Sequence, residues 1–213
     1  MFDVAKHLGA TTRAVEDDIH EGTPVKVVVA SRTYPTDIDD LWQAVTDPER
    51  MGRWFAPVSG DLRVGGRFQV EGNAGGEVTA CDEPKHFAIT WEFGGETSWV
   101  DVHLAEDDGG TSLTLRHAAD VSGNEHWATY GPGAVGVGWE LGLMGLAEHL
   151  ASGTSIPHEQ VEDWGASADG QAFMSGAATR WGEADVASSG DAETARAAAA
   201  RTAAFYTGAE PPA

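Results

Sequence analysis

Only one cysteine, Cys81, and three lysines occur in 213 residues. A single thiol excludes an internal disulfide framework and a cysteine-based zinc site. Basic side chains are scarce altogether: 13 Lys and Arg against 34 Asp and Glu leave a formal net charge of -21. A field of that sign repels phosphate backbones, so no nucleic acid is expected as a partner. No run of about 18 apolar residues occurs, so no membrane insertion is expected either. The opening stretch, MFDVAKHLGA, lacks a basic segment followed by an apolar one, which points away from a secretory signal and towards the cytoplasm. A phosphate-binding Gly-rich loop, a dinucleotide fingerprint and a G-x-S-x-G motif are also missing. No cofactor and no catalytic residue are assigned.

What is present is enough apolar material, 41%, for a core. Abundant Ala and Gly with few Lys fit a GC-rich genome, and the acidity keeps the chain soluble. Three parts are expected. Residues 1–22 form the first. Phe2, Ala5, Leu8, Thr12, Val15 and Ile19 recur at spacings of three and four, which predicts an amphipathic helix from Phe2 to His20. Glu21-Gly22-Thr23-Pro24 would stop it.

Residues 23–153 form the second part. Val25 to Tyr34 is rich in β-branched residues and reads as a strand. Thr36 is a candidate cap for a short helix through Ile38, Leu41, Trp42 and Val45, and Asp47-Pro48-Glu49 starts another. Glycine turns then split a run of strands. A two-residue loop at Gly94-Gly95 sets Trp91 opposite Ser98, Ile89 opposite Val100 and Phe87 opposite Val102. Asp108-Gly109 sets Leu104 opposite Leu113 and Val102 opposite Leu115. The same apolar face emerges from both registers, with Asp101 opposite Arg116 on the other face. Upstream, Phe68 and Val70 are expected opposite Ala80 and Val78. A long helix runs from Gly131-Pro132-Gly133 to Ser152-Gly153. It is apolar on two sides: Val135, Trp139, Leu143, Leu146 and Leu150 on one, Val137, Leu141 and Met144 on the other. The sheet covers one side. Residues 154–213, a linker at Thr154 to Pro157 followed by helices over Ala168–Ala187 and Asp191–Tyr206, are expected to cover the other together with the N-terminal helix. A homodimer is the alternative cover.

The segment TDPERMGRWFAPVSGDLRVGGRF, Thr46 to Phe68, followed by TWEF at Thr90 to Phe93, resembles the SRPBCC or START-like superfamily. Within it, the chain is most similar to the bacterial activator-of-Hsp-90-ATPase-like branch, over about Val25 to Ala151. The resemblance implies an α+β helix-grip fold: a curved antiparallel β-sheet wrapped around a long C-terminal helix, here with extra helices at both termini. It also implies a hydrophobic small-molecule-binding protein, its ligand held between sheet and long helix. A polyketide cyclase-like or hydrolase-like enzyme using the same pocket is a second reading. A co-chaperone-like interaction protein is a third, less favoured because the separate N-terminal domain of the eukaryotic namesakes is missing.

An apolar small molecule is thus the expected partner. Its candidate contacts are Phe68, Phe87, Ile89, Trp91, Val100, Val102, Leu115, His117, Trp127, Trp139 and Leu143, against the plainer reading of a filled core. His117 faces inward opposite Val100, where it serves a ligand or is satisfied by backbone or by Ser98. Glu140 is a buried carboxylate or reaches solvent at the helix flank. Asn124 to Trp127 falls where the resemblance implies the pocket mouth, as a gating loop or, more plainly, an ordinary polar connection. Cys81 is expected to pack as a small hydrophobe. His86 and His103 face each other on the outer side. No third ligand has a recognisable spacing, so no metal is assigned there. Gly136, Gly138, Gly142 and Gly145 each weaken the long helix by about 0.8–1 kcal/mol relative to Ala, and so call for close packing or for space beside a ligand.

Overall fold

The computed structural model describes residues 3–155 and 158–210. Phe2, Ile156 and Pro157, named above, lie outside them. The fold is α+β and of the helix-grip kind. One eight-stranded sheet runs in the order β1-β2-β8-β7-β6-β5-β4-β3. Its strands are β1 (Thr12–His20), β2 (Thr23–Tyr34), β3 (Val58–Gly60), β4 (Arg67–Val70), β5 (Gly75–Asp82), β6 (His86–Phe93), β7 (Glu96–Asp107) and β8 (Gly110–Ala119). The helices are α1 (Val4–Ala10), α2 (Ile38–Thr46), α3 (Pro48–Met51), α4 (Glu125–Tyr130), the long α5 (Gly133–Ser152), α6 (His158–Ala166), α7 (Ala168–Ser189) and α8 (Ala192–Thr207). The chain divides into two compact units. The first takes in Met1–Ala30, Asp120–Leu141 and Pro157–Ala213; the second takes in Ser31–Ala119 and Gly142–Ile156.

In the first unit the expected helix from Phe2 to His20 is corrected. A helix forms only over Val4–Ala10, capped by the Asp3 carboxylate, which accepts from the Lys6 N–H. Thr12–His20 is strand instead. Leu8, Val15 and Ile19 satisfy a helical spacing, but Ile19 is 69% exposed, so the apolar stripe is not one buried face. Glu21 and Gly22 both take positive φ, 48° and 88°. That is the tight turn whose twist suits a hairpin, so this pair joins two strands and does not stop a helix. Leu8 lies against α7, where a Cβ on Gly176 would meet its Cδ1 at 2.6 Å.

The tail covers the first half of α5. A Cβ on Gly136 would stand 2.3 Å from the indole of Trp181, a side chain with no exposure at all. Only a glycine lets that ring lie flat on the helix backbone, so packing offsets the helix-propensity cost at this position. The Thr202 hydroxyl donates to the Tyr130 carbonyl at 2.7 Å, and the Tyr206 hydroxyl to the Ala134 carbonyl at 2.8 Å. α6 falls where sequence spacing gave no helix. α4 replaces the expected loop, with Asn124 accepting from the Trp127 N–H at 2.9 Å.

In the second unit the expected hairpins stand. Phe93 pairs with Glu96, Trp91 with Ser98, Ile89 with Val100 and Phe87 with Val102. Leu104 pairs with Leu113, Val102 with Leu115 and Asp101 with Arg116. The β4–β5 register is corrected: Phe68 lies opposite Gly76, not Ala80. The turn is tighter than expected, closed by Asn73 N–H to the Val70 carbonyl at 3.1 Å. Asp37, not Thr36, caps α2, accepting from the Asp40 N–H at 2.8 Å. Asp47 caps α3 as expected. The second half of α5 is seated by Tyr34, whose buried hydroxyl donates to the Leu143 carbonyl at 3.0 Å. A Cβ on Gly145 would stand 2.8 Å from the Trp54 carbonyl oxygen, so close backbone approach explains this glycine too.

Candidate functional site

Alternation along β6, β7 and β8 builds one inner face in the second unit. Its cross-strand rows are Phe87, Val102 and Leu115, then Ile89, Val100 and His117, then Trp91 and Ser98. On the β5 side Val78 opposes Ile89, and Cys81 opposes Phe87. Phe68, Val70 and Val78 form a buried cluster against which Phe55, Ile89 and Trp91 pack.

The rows are unevenly covered. Val100, Val102, Leu113 and Leu115 are between 1% and 5% exposed. Phe87, Ile89 and Trp91 are only half-buried. Cys81 is exposed, which corrects its assignment to the core. α2 lies on β7 and β8, and the edge of its Trp42 reaches the Phe87 ring at 6.0 Å between centroids. The surface left open is therefore apolar and carried mainly by β6.

One polar pair borders that surface. His117 is 5% exposed, with its ring 6.4 Å from that of Trp91. The Ser98 hydroxyl donates to the Trp91 carbonyl at 3.1 Å, and its oxygen lies 2.8 Å from His117 Nε2. With its proton committed to Trp91, Ser98 accepts from an Nε2–H, which fixes the imidazole tautomer. Burial pushes the His117 pKa down to about 4. The ring is therefore neutral at pH 7, and this part of the face carries no charge. The arrangement suits an uncharged apolar molecule with at most a few polar atoms.

Of the residues expected to contact a ligand, Phe68, Phe87, Ile89, Trp91, Val100, Val102, Leu115, His117 and Leu143 fall in this unit. Phe68, Val100, Val102, Leu115 and Leu143 are buried. Trp127, on α4, and Trp139, on α5, belong to the first unit. Phe55 was not anticipated. It follows Trp54 after α3, in a stretch whose sequence reads only as a helix end.

Glu140 also belongs to the first unit and is 1% exposed. Arg13 binds it with two side-chain donors, Nε to Oε1 at 2.6 Å and Nη2 to Oε2. Arg13 further donates to the Thr11 carbonyl at 2.7 Å. A carboxylate held in this way is a structural partner, so of the two readings the buried carboxylate holds and the route to solvent does not.

His86 and His103 lie opposite each other on the outer face, as the register required. Their rings stack with centroids 4.3 Å apart. Asp101 joins them, its Oδ1 2.9 Å from His86 Nε2. Partial burial, and then the neighbouring His86, lower the His103 pKa.

The family model for Activator of Hsp90 ATPase homolog 1-like protein matches residues 35–151. No curated protein matches the chain. The crystal structure of CalU16 from Micromonospora echinospora is 32% identical, with a TM-score of 0.60, and the match covers 78% of this chain and 98% of that one. The solution structure of CalU16 is matched at 28% identity and a TM-score of 0.63 over 93% of this chain and 94% of that one. The DynU16 crystal structure, from the dynemicin biosynthetic locus, shares the fold at 24% identity and a TM-score of 0.54, over 61% of this chain and 48% of that one.

Proposed function

Because the chain belongs to the Activator of Hsp90 ATPase homolog 1-like family, of the SRPBCC superfamily, we propose that it binds an uncharged apolar small molecule on the inner face of β6. One observation carries this reading. Phe87, Ile89 and Trp91 stay partly open on a face whose other apolar side chains are buried. Leaving three large apolar groups partly in water forgoes a fraction of a burial worth about 1.5–3 kcal/mol for each when complete, and a ligand recovers part of it. His117 and Ser98 give the ligand one polar edge, and the neutral imidazole places no charge beside it. Among the described residues no helix is long and apolar enough to cross a membrane.

Nile red, a neutral apolar fluorophore, tests the reading. Titration into the full chain should give a saturable blue-shifted signal, and Trp91→Ala should weaken the affinity about tenfold, the equivalent of 1.4 kcal/mol. No saturable signal, or one unchanged in the variant, would overturn it. Native mass spectrometry of gently purified protein, with a denatured control, would then identify the chemical class of any natural occupant.

A further inference from the structure

We propose that His86, Asp101 and His103 form a binding site for a divalent transition-metal ion, Zn²⁺ by the character of its donors, on the outer face of β6 and β7. The three side chains come from adjacent strands. His86 and His103 are direct cross-strand partners, and Asp101 lies two residues before His103, hence on the same side of the sheet. Their ligand atoms all fall within 4.8 Å of one another. Two imidazoles and a carboxylate are a borderline donor set, suited to zinc and less so to calcium or magnesium.

Small side-chain movements complete the site. Tetrahedral zinc with ligands at about 2.0–2.1 Å holds its donor atoms about 3.3 Å apart. His86 Nε2 and Asp101 Oδ1, now 2.9 Å apart, need only part slightly. The ion takes the place of the proton between them, and His86 carries its proton on Nδ1 instead. The His103 ring must turn out of its stack with His86, and its exposure gives it room. Solvent supplies the fourth ligand.

The surrounding charges are mixed. Asp82 is the cross-strand partner of His86 on the β5 side. Arg116 is the partner of Asp101 on β8 and opposes a cation. The net charge of -21 favours cation approach from a distance. The backbone at all three positions is held in paired strands, so the donors start close to their bound positions.

Isothermal titration of the untagged full chain with Zn²⁺ at pH 7.5 tests the site. One ion per chain should bind. His103→Ala and Asp101→Asn should each weaken binding at least about tenfold, the lower end of what even outer-shell changes cost a metal site. His126→Ala, a histidine on α4 outside the cluster, should leave the affinity unchanged. Thermal melts of His103→Ala without metal should match those of the wild type, since the side chain is exposed. Absence of Zn²⁺ binding, binding undiminished in His103→Ala, or an equal loss in His126→Ala would each overturn the assignment.

Discussion

Two stretches of the same sheet face behave differently. On β7 and β8 the inner side chains Val100, Val102, Leu113 and Leu115 are closed to water, 5% exposed or less. On β6, one strand away, Phe87, Ile89 and Trp91 remain half-open. Composition does not separate them, because the half-open row is the more aromatic of the two. The covering elements do: α2 lies on β7 and β8 but meets Phe87 mainly through the edge of Trp42. One amphipathic alternation thus serves two ends, a closed core on β7 and β8, where α2 lies, and a partly accessible apolar row on β6. An apolar pattern in sequence records which face a residue takes, not whether that face is filled.

Truncating one residue from each stretch should break the comparison most sharply. Leu113→Ala removes a closed side chain and should cost about 2–5 kcal/mol. Ile89→Ala removes a half-open one, which already spends part of its surface in water, and should cost about 1 kcal/mol. Urea unfolding at pH 8 reads both. Equal losses would mean that the β6 row is core like the rest.

His117 stands where the two stretches meet, and its titration locates the boundary. Its pKa is about 4 in the fold against 6.5 for the free side chain. The unfolded chain therefore takes up the proton first as pH falls. The stabilisation is fully present above about pH 6.5, is lost progressively below it, and levels off near pH 4, where the native ring also charges. The loss over that window should reach up to about 3 kcal/mol at 1.36 kcal/mol per pKa unit. His117→Gln should remove this component from the pH dependence of urea unfolding. A wild-type curve that His117→Gln leaves unchanged would show an imidazole already hydrated, and would move the open surface into the β8 row.

Much of this was legible in the sequence, for physical reasons. Two-residue loops at Gly94-Gly95 and Asp108-Gly109 leave little choice of register, so the β6–β8 rows and the inward His117 follow from counting. Val15 and Ile19 were not decisive, because over so short a stretch their spacing fits a helix while the actual strand hides only Val15. Glu21-Gly22 resembles a stop signal until its backbone angles are seen. Asn124 before Glu125 carried a helix-start signal, but a single turn has too few apolar positions to show a period. Asp101 reads in the sequence as the cross-strand partner of Arg116, which masks its place beside the two histidines. The partly open state of β6 is not legible in the sequence, since it depends on how α2 and the Phe68 cluster come to rest around it.

A smaller effect than the His117 titration separates burial from hydrogen bonding at that residue. Ser98→Ala deletes the hydroxyl that accepts from Nε2–H and donates to the Trp91 carbonyl. The loss should be about 1–2 kcal/mol, the usual net worth of the two bonds it deletes. Burial alone lowers the His117 pKa, so removing Ser98 should reduce stability about equally at pH 8 and pH 5. The midpoint of the acid-dependent loss should stay where it is. A midpoint shifted towards 6.5 would mean that water enters when the hydroxyl leaves. Ser98 would then be part of the seal between the open and closed stretches, and the accessible surface would extend to β8 as soon as that one bond is broken.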